Sequence, residues 1–480
     1  MSARPRRRRL WYALAAILVV LVAVGIPAGR YLLRDKGLTY SNIVEQYKYG
    51  SVGTEAEQGV PYYIWAVLPD VFPDLLPKTP GRGYERFGFI FETGRNRPIG
   101  LTWREKPVPL VGLNCALCHT STFRSSPSAP RRLVLGMPAN RLRVGDYIRF
   151  LRSVGRDDRF DSAHILPAID RRFPGALGRL DRLFYRLAVI PQMRKGLHEV
   201  DDSFAWMDVR PDYGPGRVDT FSPWKDHFDF DMSKDSTIGT ADFPSIWNQR
   251  IRRGMALHWD GNNPSLTERN ISASLAVGAT KDSLDFDQLN RVAEWLLKLQ
   301  PPRYPPSRID RSLAALGKPL YEQSCTACHD VGGARVGKVT PISEVGTDPG
   351  RLNSFTAALV PKMNSLGKGK PWRFRHFRKT SGYANSPLDG IWLRAPYLHN
   401  GSVPTLRALL FPDERPSVFY TGYDVYDWER VGFVAQGAAA RREGFRFDTR
   451  KPGNSNRGHV YGAELPERDR AAILEYLKTK

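Results

Sequence analysis

Acidic residues are few in this 480-residue chain: 49 Asp and Glu face 71 Lys and Arg, a formal charge of +22. Residues 1–30 carry six arginines and no acid, yet removing them leaves about +16, so the deficit belongs to the body of the protein. No recognised nucleic-acid motif accompanies the excess, which excludes nucleic acid as the expected partner. A solvated alkaline surface ranks first; docking to an acidic protein or to anionic lipid headgroups follows, both by steering that salt would weaken. Strand-like alternation is lacking as well, and no internal repeat is visible beyond two short cysteine-containing strings, so the chain is expected to be mostly α with long loops. The apolar run from Leu10 to about Ala28, preceded by Arg4-Pro5-Arg6-Arg7-Arg8-Arg9, contains no charge. It is long enough to span a bilayer. A cleaved signal has a shorter apolar region, and Ile26-Pro27-Ala28-Gly29-Arg30 offers a poor cleavage site. An uncleaved N-terminal transmembrane helix is expected, with residues from about Arg30 outside the cytoplasm.

Cysteine is the scarcest chemical resource, with four in all and none to spare. They form two strings, Cys115-Ala116-Leu117-Cys118-His119 and Cys325-Thr326-Ala327-Cys328-His329. A thioredoxin-like pair needs no following histidine, and a zinc site would join two strings that here lie 210 residues apart. Disulfides remain open to an exported chain with an even count. Cys-x-x-Cys-His is the attachment signature of c-type haem, in which both thiols add to the vinyl groups and the histidine binds the iron. Two covalently bound haem c groups are therefore expected, with Cys115, Cys118, Cys325 and Cys328 as attachment points and His119 and His329 as proximal iron ligands.

Three segments follow. Residues 1–35 are the basic start and anchor, residues 36–300 a larger, irregular unit around the first string, and residues 308–480 a cytochrome c-like domain. The boundary is set by a helical pattern over Asp285–Leu299, stopped by Pro301-Pro302. Beyond it, Arg308–Gln323 reads as a helix running into the second string, and Pro466–Lys480 as a short terminal helix crossing it. Val144–Val154 is also helical in pattern, and Ser265-Leu266-Thr267-Glu268 reads as a capping box.

A haem with two protein ligands moves electrons, whereas an open sixth position can bind peroxide or dioxygen. For the second haem, His459 in the glycine-bounded loop before the terminal helix is the first choice as sixth ligand, with His399 the runner-up and Met363 third. For the first haem, Met137 and His258 are candidates, His258 either as ligand or as a distal acid–base group. Phe243 and Trp247 could line an apolar distal pocket, although core packing is the blander reading of each. An open first haem is favoured.

The string Asp389-Gly390-Ile391-Trp392-Leu393-Arg394-Ala395-Pro396-Tyr397-Leu398-His399-Asn400-Gly401-Ser402-Val403-Pro404-Thr405-Leu406, the two haem strings and Gly458-His459 together resemble the di-haem cytochrome c peroxidase superfamily. The closest branch in kind is that of the bacterial rubber oxygenases. The resemblance implies an exported oxidoreductase in which one haem binds the oxidant and the other relays electrons. In the peroxidases a methionine after the Ala-Pro-Tyr-x-His segment ligates the C-terminal haem; here no methionine follows Met363. That departure favours two histidines on the second haem and a reactive first haem. The anchor and shorter C-terminal part depart from the rubber-degrading members, so polymer cleavage is not carried over. The expected function is an inner-membrane-anchored, periplasmic haem oxidoreductase, with Trp392 and Tyr397 as inter-haem relays and a redox protein or small-molecule oxidant as partner. The alternative is a non-catalytic di-haem electron carrier.

Overall fold

Helices start where the sequence supplies caps. Asp285 accepts from the Gln288 amide at 3.1 Å and opens the helix Phe286–Leu296, which buries Leu289, Val292 and Leu296. Asp310 does the same for Arg311–Ser324 through the Leu313 amide at 2.9 Å. Ser265 caps Leu266–Ala276 through the Glu268 amide, but the box is only half made. Glu268 turns away to accept from Asn263 and from the Arg375 and His376 amides. The helix Val144–Arg156 buries Tyr147, Phe150 and Val154. The terminal helix Glu467–Leu477 lies across Arg311–Ser324, and Gly317 marks the crossing: a Cβ there would collide with the Ala472 carbonyl.

These coordinates are a computed structural model, which describes residues 35–480. The expected anchor, residues 10–28, lies outside the described residues, and among those no helix is long and apolar enough to cross a membrane.

The expectation of a mostly α chain is corrected: the fold is mixed helix and strand, 40% helical. Among the described residues, strands pair into one four-stranded and five two-stranded antiparallel sheets. The four-stranded sheet runs Lys36–Gly37, Arg104–Glu105, Leu110–Val111, Val60–Pro61. Among the described residues no strand exceeds four residues. That is too short to show alternation, and Thr120–Phe123 is buried at every position, so there is no polar face to alternate with.

The cores cross the sequence boundary near residue 300. One cluster joins Phe123, Val134, Met137 and Trp247 to Tyr304, Trp392 and Tyr397, and another joins Phe221, Ile271 and Leu289 to Phe355, Met363 and Phe374. Both candidate methionine ligands are thus packed among aromatic and aliphatic side chains.

Candidate functional site

In each string the histidine amide donates to the carbonyl of the first cysteine, at 3.1 Å for His119 and Cys115 and at 3.0 Å for His329 and Cys325. One closed turn gathers two thiols and an imidazole. None of the four cysteines is in a disulfide, and all are partly uncovered. Burial nevertheless pushes the Cys118 thiol up to about 12 and that of Cys325 to about 11. The thiols are thus set into the fold yet still reachable, as covalent attachment of a macrocycle requires.

Both proximal rings are fixed at Nδ1, His119 by the Pro244 carbonyl at 2.9 Å and His329 by the Ser386 carbonyl at 2.8 Å. A carbonyl acceptor demands the Nδ1–H tautomer and leaves Nε2 bare for a metal. Burial, then the charge of Arg269, lowers the His119 pKa to about 4, keeping the imidazole neutral. The residues present therefore fit haem c.

His459 reaches the second string through a tight approach. Gly458 (φ +76°) has no room for a Cβ against the Gly346 backbone, and the His459 amide donates to the Val345 carbonyl at 2.7 Å. Arg415 clamps this loop through the carbonyls of Asn456 at 2.6 Å and Gly458 at 2.8 Å. The His459 and His329 ring centres are 6.0 Å apart. Two metal–imidazole bonds of about 2 Å, plus about 1.1 Å from each nitrogen to its ring centre, span about 6 Å. The gap therefore suits one iron between two histidines. Burial and then His329 hold the His459 pKa at about 4.

His399 sits elsewhere, stacked on Tyr383 at 4.0 Å with Nε2 buried and without a partner. His258 contacts Asn262 Oδ1 at 2.5 Å and stacks on Phe377. Burial lowers its pKa to about 4, with a small further push from Arg269. The Arg269 charge pushes down the pKa of His119 and, against burial, that of Cys115, and after Arg351 adds slightly to the fall at His258, so a cation near the first string is a feature the sequence did not announce. Phe243 lies edge-on to the His119 ring at 6.4 Å, next to the Pro244 carbonyl.

Trp247 is fully buried between segments belonging to the two strings. Its Nε1 donates to Leu135 at 2.7 Å, and a Cβ on Gly136 would stand 2.6 Å from its ring. Its far edge would stand 3.1 Å from a Cβ on Gly390. Trp392 instead centres a ring cluster with Phe123, Tyr304, Tyr426 and Trp428, at 5.3 to 5.9 Å. Tyr397 donates to the Ile391 or Val431 carbonyl, at 3.2 and 3.3 Å, and burial keeps its hydroxyl protonated. Between the strings, Asp389 accepts from both Arg252 and Arg394, and the Pro387 carbonyl accepts from the same two, at 3.3 and 2.9 Å.

A repeat missed in the sequence emerges here. Leu257-His258-Trp259-Asp260-Gly261-Asn262-Asn263-Pro264-Ser265-Leu266 and Tyr397-Leu398-His399-Asn400-Gly401-Ser402-Val403-Pro404-Thr405-Leu406 align without a gap. Each loop is closed by one antiparallel bridge, Leu257 with Asn263 and Tyr397 with Val403. The second residue is left-handed in both, His258 at φ 63° and Leu398 at φ 65°, and Ser265 and Thr405 each cap a helix. The loops are exchanged. Asp242, two residues before the carbonyl that holds His119, donates its amide to His399 O at 2.8 Å; Ala384, two before the carbonyl that holds His329, donates to Trp259 O at 2.8 Å. Three identities at matching positions were the available signal.

A family model described as RoxA-like, cytochrome c-like matches residues 382–420, the stretch that holds Ser386, Asp389 and the second loop. The chain thus carries a cytochrome c-like domain of the RoxA-like kind, and such a domain binds haem c. Over longer spans it is similar to two proteins of Sinorhizobium fredii (strain NBRC 101917 / NGR234). Uncharacterized protein y4iJ is 27% identical over 522 aligned positions, covering 82% of this chain and 84% of that protein. Uncharacterized protein y4iM is 31% identical over 284, covering 50% of this chain and 64% of its own length.

Proposed function

We propose that the protein is a di-haem c-type oxidoreductase of the di-haem peroxidase kind, anchored in the inner membrane with its body in the periplasm. Its first haem activates peroxide or dioxygen and its second, held by His329 and His459, relays electrons. The observation that carries this reading is an asymmetry between the strings. The His329 ring faces a second imidazole at a separation that suits one iron, whereas among the described residues no second imidazole lies against the His119 ring, whose aromatic neighbour is the apolar Phe243.

Haem c supplies the redox chemistry when bound. The chain orients and insulates it. The Pro244 and Ser386 carbonyls set both proximal tautomers and raise ligand basicity. His258, neutral and fixed by Asn262, and the Arg269 charge are the groups available to hold a proton and an anionic oxidant near the first string. Trp247 offers an aromatic route between the strings. A redox protein or a small-molecule oxidant is the partner.

Electron paramagnetic resonance of the oxidised, haem-loaded chain, repeated with His459→Ala, tests this. One high-spin and one low-spin signal are expected, with the low-spin one converted by the substitution. Two low-spin signals indifferent to cyanide and peroxide would make the protein an electron carrier instead.

A further inference from the structure

Four large apolar side chains stand uncovered on the helix that runs Arg179–Phe184, continues as a π-helical segment over Tyr185–Val189 and leads into Ile190–Ser203. Leu180 is 82% exposed, Leu183 52%, Phe184 53% and Leu187 68%. Spacings of three, one and three residues put them on one side. The opposite side is apolar too and is used, because Tyr185, Val189, Ile190, Met193 and Leu197 are buried in the N-terminal core. A helix apolar on both faces is ordinarily buried on both. Scattered surface leucines need no account, but a contiguous stripe marks a contact.

The rim of the stripe is basic. Arg171, Arg179 and Arg186 are exposed and have no carboxylate partner among the described residues, while Arg172 and Arg182 are engaged by Asp70 and Asp170. On the helix, Arg179 and Arg186 are seven residues apart and flank the same edge of the stripe. An apolar face edged by arginine is the composition of a helix lying in a bilayer interface.

The described chain begins on the same core that packs the buried face of this helix. The Leu38 amide donates to Trp103 O at 2.8 Å. The Trp103 ring touches Tyr62 at 4.9 Å, and Tyr62 touches Phe173 at 5.7 Å. All three rings belong to the cluster that buries Tyr185 and Val189.

We infer that the Leu180–Leu187 face is a membrane-surface contact that beds into the interface of an anionic bilayer, its arginines against headgroup phosphates. The inference rests on the anchored reading of residues 10–28 for the tether and adds a second contact that fixes how the haem cleft faces the membrane.

The test uses the haem-loaded full chain in detergent and in lipid nanodiscs of phosphatidylglycerol or phosphatidylcholine, followed by hydrogen–deuterium exchange over residues 177–190. Residues 179–187 should exchange at least about tenfold more slowly on phosphatidylglycerol discs than in the Leu180→Ser, Leu183→Ser, Leu187→Ser variant, since each buried methylene adds to interfacial partitioning. High salt should reduce the difference. Chain that elutes with the discs while the stripe stays unprotected overturns the inference and leaves the anchor standing. Chain that elutes apart from the discs overturns both. Protection already present in detergent also overturns it, meaning cover by the chain's own N-terminal residues if independent of protein concentration and by a second copy if it rises with concentration.

Discussion

Removing the Asp389 carboxylate is expected to cost about 3 kcal/mol. Its partners are poorly placed to find water: the Arg252 side chain is 9% exposed, that of Arg394 14%, and Asp389 itself 18%. Breaking a buried pair by deleting one partner costs about 3–5 kcal/mol, because the remaining charge stays buried, and the residual water access here puts the value at the low end. Burial already lowers the Arg394 pKa to about 10, with Asp389 as the main group opposing that fall. In a urea titration of the haem-loaded chain, a slope of about 3 kcal/mol per molar converts the loss into a midpoint about 1 M lower for Asp389→Ala. Replacing the trio together, with Arg252→Met, Asp389→Leu and Arg394→Met, should restore most of it, since no charge is then stranded. On the di-haem reading, the damage should also reach the second haem alone. The Pro387 carbonyl, which both arginines hold, is the neighbour of the Ser386 carbonyl that fixes His329, so the low-spin signal should broaden while the other is unchanged. A midpoint within about 0.3 M of the parent would show that the guanidinium groups reach solvent and would refute the reasoning.

Gly317→Ala forces a methyl into the Ala472 carbonyl where the terminal helix crosses, and should lower stability by about 3 kcal/mol in the same titration; an unchanged midpoint would mean the crossing can slide apart at no cost. Trp247→Phe keeps an aromatic ring but leaves the Leu135 carbonyl without its donor, for a loss of about 1 kcal/mol. On the di-haem reading, flash-reduction kinetics should show slower electron transfer between the haems with both haem spectra intact, and equal rates would remove Trp247 from the route. For Asp424, burial favours the neutral acid, but Arg141, Arg131 and Arg124 outweigh it and hold the pKa below its ordinary 3.8. The depressed value means its stabilisation is present above about pH 4 and disappears as pH falls through the folded-state pKa. The urea-midpoint gap between the parent and Asp424→Asn should therefore be level from pH 7 to pH 5 and close at lower pH. A gap that survives full protonation would refute the charge account.

Some of this was legible in the sequence because the chemistry fixes the spacing. Cys-x-x-Cys-His is one helical turn by necessity, and Asp285, Asp310 and Ser265 announce helices by local hydrogen bonds that need no tertiary context. The glycine before His459 likewise advertised a close approach that the structure uses. The strands were not legible, because two to four residues cannot display a period. Arg269 and the Asp389 clasp were not legible either, since their partners lie up to about 150 residues away in the chain. The repeated loop should have been found: Gly261 and Gly401, Pro264 and Pro404, Leu266 and Leu406 fall in one ungapped register, but differing residues at the histidine positions hid it.

Those differences are where the two sites part. Nine residues before Leu257 in one copy and seven before Tyr397 in the other stands a left-handed residue, Asn248 or Gly390, followed four positions later by an arginine, Arg252 or Arg394. The residue before it is Trp247 in one copy and Asp389 in the other. One supplies an aromatic ring between the strings and the other a carboxylate that gathers both arginines. Within the loops, Trp259 occupies the position of His399, and each is hydrogen-bonded to the strand that orients the opposite proximal histidine. Asp242 in fact meets both loops, because its carbonyl also accepts from Trp259 Nε1 at 2.8 Å. Equivalent loop frames with unlike side chains at matching positions give the two strings different surroundings.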